Sequence, residues 1–481
     1  MSSTKKELLS GVFYTAIAKY SGIIVSLVVA GILARLIEPE EFGIVAIATV
    51  IISFFSIFSD LGIAPAIIQN KELSPKDLSN IFTFTIWLGI SISILFFLCS
   101  WPISHFYKNS TLLTICQLLS LNLFFASANI VPNALLFKEK EFKFIAYRSL
   151  TIQISGGVMA ITAALLGAGL YALIINPILS SILLFIISFR KNPQKLAQTW
   201  GIQSMKKILS FSAYQFMFNV INYFSRNLDK LLIGKYMNMV ALGYYEKSYR
   251  LMMLPLQNIT HVISPVMHPI FSDFQNDLIK LSNSYNKVIR FLAFIGLPLS
   301  VLLWFCSKEI ILIIFGEQWM PSVLIFQILS ISVGIQIILS TSGSIFQAAN
   351  DTKSLFICGV FSTLLNVIGI LTGIFFFKTL EAVAWCICIT FTINFIQCYI
   401  WMYKITLKQS LWKFWKQFLS PILLTGILIV CLLPTYYLSD KSSIYATLLL
   451  KGSVFIITYV AYVQIRGEYN IINFIKSKIK K

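Results

Sequence analysis

Charge is scarce in this chain. Only 12% of its 481 residues are Asp, Glu, Lys or Arg, against 57% hydrophobic, whereas soluble globular domains carry about 25% charged residues. That excludes a water-soluble globular protein. Histidine is scarcer still, and His105, His261 and His268 have no metal-ligand spacing to Asp or Glu, so neither a metal site nor a redox centre is expected. The cysteines form no CxxC pair and fall within or beside apolar runs, as small packing residues do. No GxxxxGK[ST] phosphate loop is present, so the chain is not expected to hydrolyse nucleotide. Long polar segments are missing as well.

What fills the chain instead is a series of about fourteen apolar runs between Gly11 and Ile465, each long enough to cross a hydrocarbon core about 30 Å thick. The expected fold is all-α: a polytopic integral membrane protein of about 14 transmembrane helices, with connections too short for a soluble catalytic domain. The stretch after Lys5 and Lys6 is too long for the core of a signal peptide and is read as a retained first span.

The net charge of +19 does not point to nucleic acid, because the basic residues sit in short loops between spans. With both termini placed in the cytoplasm, 26 of the 38 basic residues fall on the inside, 8 outside and 4 (Lys19, Arg226, Lys230, Lys451) within spans. That bias is a positive-inside signal and requires an even number of spans.

The opening of the chain is echoed about 200 residues later. Lys5, Lys6, Leu8, Leu9 and Ser10 resemble Lys206, Lys207, Ile208, Leu209 and Ser210, and at the same offset Arg35 aligns with Lys235, Gly43 with Gly243 and Pro65 with Pro265. Six spans separate the two starts, so the halves are parallel repeats about an axis along the membrane normal. The expected division is an N-terminal six-helix lobe (1–202), a second six-helix lobe (203–403) and a remainder of two helices and a basic tail (404–481). Chance likeness between Leu- and Ile-rich runs is the alternative.

The seventh span carries a polar stripe. Ser212, Gln215, Asn219, Asn222, Arg226 and Asp229 recur every three or four residues, with Lys230 one turn beyond Arg226, a spacing that puts them on one helical face. A charge at the bilayer centre costs about 2.5–3.5 kcal/mol, so such a face is expected to look into the bundle or a watery cavity. The first span matches it with Thr15, Lys19, Gly22 and Ser26. Lys19 lies roughly 12 Å inside its span at about 1.5 Å per residue, a depth from which lysine can still snorkel. Arg226 and Asp229 can simply neutralise each other. That leaves Lys19 and Lys230 as spare positive charges suited to an anion such as phosphate. The candidate substrate-binding residues are therefore Lys19, Asn219, Asn222, Arg226 and Lys230. Asp60 and Asp229 are candidates for a coupling or a structural charge. Pro65, Pro255 and Pro265 are candidates for hinges or for packing, and Lys451 either snorkels or binds.

The segments Pro39-Glu40-Glu41-Phe42-Gly43, Ser59-Asp60-Leu61-Gly62, Leu228-Asp229-Lys230-Leu231-Leu232-Ile233-Gly234, Ala241-Leu242-Gly243-Tyr244-Tyr245 and Pro269-Ile270-Phe271-Ser272 resemble the polysaccharide transporter branch (Wzx-like, colanic-acid and teichuronic-acid exporter type) of the MOP flippase superfamily. The resemblance implies a bacterial inner-membrane protein with both termini cytoplasmic that moves undecaprenyl-diphosphate-linked oligosaccharide outward by alternating access, for surface polysaccharides such as O-antigen or exopolysaccharide. It implies that Lys19, Arg226 and Lys230 attract the diphosphate or acidic sugars, and that the last two spans form a groove for the lipid tail. No cofactor is implied, only coupling to H+ or Na+. The implied partners are the lipid-linked oligosaccharide, membrane lipids, and the polymerase and glycosyltransferases of the same biosynthesis, with no nucleic acid. A transporter with no covalent chemistry is the leading reading. Its rivals are a cation-coupled multidrug antiporter, for which acidic cavity residues are expected, and a membrane-embedded polymerase or glycosyltransferase, for which a sizeable outer loop is expected.

Overall fold

The computed structural model describes residues 3–60, 62–70, 72–197, 212–275, 277–439 and 443–467. Among these the regular structure is entirely helical, as hydrocarbon demands of a backbone that must satisfy its own hydrogen bonds. The contacts divide the chain into two compact units, Met1–Gly243 and Tyr244–Lys481.

The first unit contains α1 (Ser3–Leu36), α2 (Pro39–Asp60), α3 (Ile63–Gln69), α4 (Pro75–Tyr107), α5 (Thr111–Ala128), α6 (Ile130–Lys138), α7 (Phe142–Leu165), α8 (Tyr171–Lys191) and α9 (Ser212–Tyr236). Local chemistry sets the boundaries. Ser74 and Asp77 form a reciprocal capping box at the start of α4, with Pro75 in the first turn, and Lys108 ends the helix in the left-handed region at φ 52°. α4 packs along α5, α1 along α7 and α9 along α2. Polar ties cross these seams: Ser127 Oγ donates to the Thr85 carbonyl at 2.7 Å, and Gln153 Nε2 to the Gly22 carbonyl at 2.7 Å. Ile63, Ile67, Ile81, Phe82 and Val131 make one core beneath α3, α4 and α6.

Helix α10 (Met239–Ser272) leads into the second unit. There follow α11 (Leu278–Phe305), α12 (Ser307–Ile314), α13 (Met320–Ser330), α14 (Val333–Leu339), α15 (Ser342–Ala348), α16 (Thr352–Leu371), α17 (Leu380–Trp401), α18 (Leu411–Trp415), α19 (Leu419–Leu432), α20 (Pro434–Ser439) and α21 (Ile444–Arg466). α11 is the axis of the packing. On one side Gly296 lies against Gly334, where an added Cβ would come 3.0 Å from the Gly334 Cα, so α14 approaches it backbone to backbone. On another, Phe294, Phe305, Leu424, Leu428, Leu432 and Tyr462 form a core that joins α11 to α19 and α21. α16 starts at Asp351, whose carboxylate accepts the Ser354 N–H at 3.1 Å and the Thr406 hydroxyl at 2.6 Å.

Among the described residues eleven segments are long and apolar enough to cross a membrane. A twelfth is added if Glu317–Ser330 and Val333–Ala348, bent by 46°, are taken as one span. The expected count of about fourteen exceeds this by α9 and α10. These helices, of 25 and 34 residues, are long enough but too polar to qualify as apolar spans.

Candidate functional site

The polar stripe lies on α9, and one side of that helix is held against its neighbours. The Tyr223 hydroxyl donates to the Val50 carbonyl of α2, and the Phe54 ring sits 4.9 Å from that of Phe224. Further along, the Tyr107 hydroxyl donates to the Leu231 carbonyl at 3.3 Å, and Lys235 reaches the Phe106 carbonyl while lying 4.2 Å from its ring. The helix is therefore anchored to α2 and α4 over most of its described length.

Within this frame the charged residues separate. Arg226 is exposed, Asp229 is only 4% exposed, and Lys230 is half-buried. The Asp229 carboxylate accepts the Lys230 backbone N–H at 2.8 Å. Both residues make further interactions. The side chains of Ser212, Gln215, Asn219 and Asn222 lie outside the described residues. On α1, Thr15 and Lys19 are exposed while Gly22 is buried beneath Gln153, so the matching face of the first span is split as well. Lys19 and Arg226 thus share exposure rather than a direct contact: among the described residues no hydrogen bond or ion pair joins them.

The Asp60 and Pro265 side chains also lie outside the described residues. The break between α2 and α3 occurs at Gly62, which adopts φ 74°, a conformation that glycine enters freely. Pro65 follows in the first turn of α3, where its missing N–H costs no helical bond. α10 continues through Pro255 and Pro265 without interruption.

Three buried cations were missed or misplaced by sequence reasoning. Lys451 of α21 does not snorkel: its Nζ lies 2.5 Å from Glu309 Oε1, donates to the Phe305 carbonyl at 2.9 Å and sits 5.1 Å from the Tyr436 ring. Glu309 Oε2 has no hydrogen-bond partner. Arg148, counted among the loop charges, is 7% exposed inside α7 and donates to Ser188 Oγ at 2.5 Å and Asn133 Oδ1 at 2.9 Å. Lys247, counted with an outside loop, is 3% exposed within α10 and lies 5.0 Å from the Phe315 ring and 5.3 Å from that of Trp319. Arg148 and Lys451 leave one signal, a charge inside an otherwise apolar or aromatic run, while Lys247 stands beside Glu246 and close to Arg250; no local spacing names the partners of the three.

An apolar cavity of about 350 Å³ opens beside the Lys451 anchor, lined by Leu297, Trp304, Phe305, Ile331, Ile429 and Leu433, with Ser300 and Thr425 as its hydroxyls. Its walls come from α11, α19 and the turn after α13. No cluster of three or more His, Cys, Asp or Glu able to hold a metal ion occurs among the described residues.

Residues 32–324 match the model of a family described as polysaccharide biosynthesis protein. The chain belongs to that family. Among its relatives, the teichuronic acid biosynthesis protein TuaB of Bacillus subtilis is 25% identical over 89% of this chain and 88% of its own. The lipopolysaccharide biosynthesis protein WzxC of Escherichia coli is 27% identical over 77% and 76%. The fold is that of the lipid II flippase MurJ in an inward closed conformation, with a TM-score of 0.72 at 17% identity over 94% of this chain and 98% of that one. A multidrug resistance MATE transporter of the MOP superfamily, inward-facing, matches with a TM-score of 0.64 at 15% identity, over 83% of this chain and 99% of its own. This polysaccharide biosynthesis protein is therefore a multi-pass membrane protein with the fold of the MOP transporters.

Proposed function

We propose that the chain is a flippase that moves undecaprenyl-diphosphate-linked oligosaccharide across the bacterial inner membrane by alternating access, supplying surface polysaccharide synthesis. One observation carries this reading: membership in a polysaccharide biosynthesis family coincides with the fold of a lipid flippase over almost the whole chain. In this reading both termini are cytoplasmic, and two six-helix lobes (1–202 and 203–403) work beside the helices and basic tail of 404–481.

The substrate has three chemically distinct parts. The diphosphate and any acidic sugars are drawn by Lys19 and Arg226, both exposed cations. Lys230 contributes from its half-buried position, and Asn219 and Asn222 offer hydrogen bonds to sugar hydroxyls. The polyprenyl tail suits the apolar cavity on α11 and α19, whose lining is carbon apart from two hydroxyls. No covalent bond is made or broken, and the cycle is driven by H+ or Na+, with Asp60 and Asp229 as the carboxylates available for coupling. The polymerase and glycosyltransferases of the same biosynthesis act before and after it.

The test is complementation. Wild type and a Lys19→Ala/Arg226→Ala/Lys230→Ala variant, at matched membrane levels in a strain lacking its own exporter, are compared for surface polysaccharide and for undecaprenyl-linked oligosaccharide retained in the inner leaflet. Rescue by the wild type with retention in the variant supports the reading, and normal export by the variant removes those cations from the substrate path. The MATE-like fold keeps a multidrug antiporter as the second reading. Wild type that fails with several sugar systems yet extrudes cationic dyes selects it.

A further inference from the structure

The repeat offset of 200 residues pairs Pro39 with Met239 and Gly43 with Gly243. In the structure they meet crosswise, Gly43 against Met239 and Gly243 against Pro39. A Cβ added to Gly43 would land on the carbonyl oxygen of Met239, and one added to Gly243 would land on that of Pro39. Reciprocal contact between equivalent atoms defines a local two-fold relation between the first turns of α2 and α10. Both partners are backbone, so the seam has glycine Cα–H groups facing carbonyls, contacts weaker than an N–H hydrogen bond.

Each turn is firmly held by something other than the seam. The Glu41 carboxylate accepts the Leu170 N–H at 3.0 Å and the Glu38 N–H at 3.3 Å, fixing the start of α2 to the α7–α8 loop. Asn238 Oδ1 accepts the Ala241 N–H at 2.6 Å, fixing the start of α10. One turn inward, Gly234 of α9 closes over Ile47 of α2, where an added Cβ would come 2.7 Å from Ile47 Cδ1, and Ile47 is fully buried. Two well-fixed elements therefore meet along a close but weak line, and only glycine at positions 43 and 243 allows the approach.

We propose that the paired Gly43–Met239 and Gly243–Pro39 contacts are a backbone-only gate of the transport cycle, closed here, whose parting lets α2 separate from α9 and α10 on the face where α2 and α10 begin. Assigning that face to the extracytoplasmic side rests on the flippase reading above, whereas the gate itself does not. Such a gate needs no ion pair to break and no interdigitated side chain to withdraw. Its strength is set by how closely two backbones fit.

The experiment places a reporter behind the seam. Ile47→Cys is labelled with a membrane-impermeant maleimide in right-side-out and in inverted vesicles, and the signal is read above that of protein carrying only its own cysteines. With both glycines present, labelling is expected to be slow from both faces. Gly43→Ala, Gly43→Val, Gly243→Ala and Gly243→Val are each expected to raise labelling at least threefold in right-side-out vesicles, Val more than Ala. The Gly43→Ala/Gly243→Ala double variant is expected to stay within about twofold of the stronger single one, because either wedge parts the same seam. Fast labelling of Ile47→Cys alone or unchanged labelling in all four single variants overturns the proposal, whereas a rise confined to inverted vesicles keeps the gate and overturns the assignment of its face. Where a Val variant is absent from the membrane, the Ala variants decide. Surface polysaccharide is measured in parallel: a gate that responds in a protein that rescues no sugar system sinks the flippase reading and leaves the gate standing.

Discussion

Lys451 and Glu309 form an ion pair at 2.5 Å in which both side chains are 3% exposed. They are 142 residues apart in the chain, one on α21 and the other on the short α12. The pair clamps α21 to the end of α11, since Lys451 also bonds the Phe305 carbonyl at which α11 stops. Its environment, with Glu309 Oε2 unpartnered, makes the pair intolerant of losing one member.

Glu309→Gln or Lys451→Ala is expected to destabilise the protein by about 3–5 kcal/mol, the cost of stranding one buried charge. A Glu309→Leu/Lys451→Met double variant is expected to recover most of that loss. Thermal unfolding of the detergent-purified proteins measures both. A double variant as unstable as the worse single one contradicts this account.

Arg148 is held by two neutral oxygens, and its Nε has no partner. Ser188→Ala is expected to cost about 1.5–3 kcal/mol, the range for a hydrogen bond to a charged group. Arg148→Met, which removes the charge and keeps much of the volume, is expected to cost less than Arg148→Ala. The order of the three unfolding temperatures is the check.

Asp351 gives the loop before α16 a pH dependence. Burial alone would raise its carboxyl, but hydrogen bonds from Thr406 and Ser354, with Lys353 nearby, outweigh burial and hold it below its usual range. A depressed folded value stabilises above the unfolded pKa, about 3.9, and that contribution is lost as the pH falls through the folded value. Asp351→Ala is therefore expected to cost about 1 kcal/mol at pH 7, as for loss of an N-cap. The gap to wild type is expected to be unchanged from pH 6 to 8 and to narrow only in strong acid, as followed by unfolding across that range.

Filling the apolar cavity tests its role as a seat for the lipid tail. Ile429 is 40% exposed on its rim, so Ile429→Trp can be accommodated at little cost to folding. Export is expected to fall about tenfold at unchanged protein level, a barrier change of about 1.4 kcal/mol. Unchanged export removes the cavity from the path.

Periodicity and charge made the helical membrane fold legible, because hydrocarbon thickness imposes span length and backbone satisfaction imposes helix. Gly43 and Gly243, which the 200-residue offset aligns, both stand where only a hydrogen atom fits. Side-chain partnership was not legible. Spacing puts Arg226, Asp229 and Lys230 on one face but does not measure burial: Arg226 is exposed, Asp229 buried and Lys230 half-buried. For Lys451, snorkelling and binding stayed open because Glu309, distant in the chain, gave no local clue. Arg148 read as a loop charge because a hydropathy boundary is uncertain by about two to four residues, enough to move a cation from solvent to interior.

The buried guanidinium of Arg148 bears on how ionic strength acts. A charge cancelled by a carboxylate fades within a few ångströms, but one held only by a hydroxyl and an amide oxygen keeps its monopole. Mobile ions weaken the fields of surface lysines over a Debye length of about 8 Å in physiological salt, while a buried source is screened far less. The surroundings of Arg148 therefore keep a positive bias in concentrated salt, where the attraction exerted by loop lysines has collapsed.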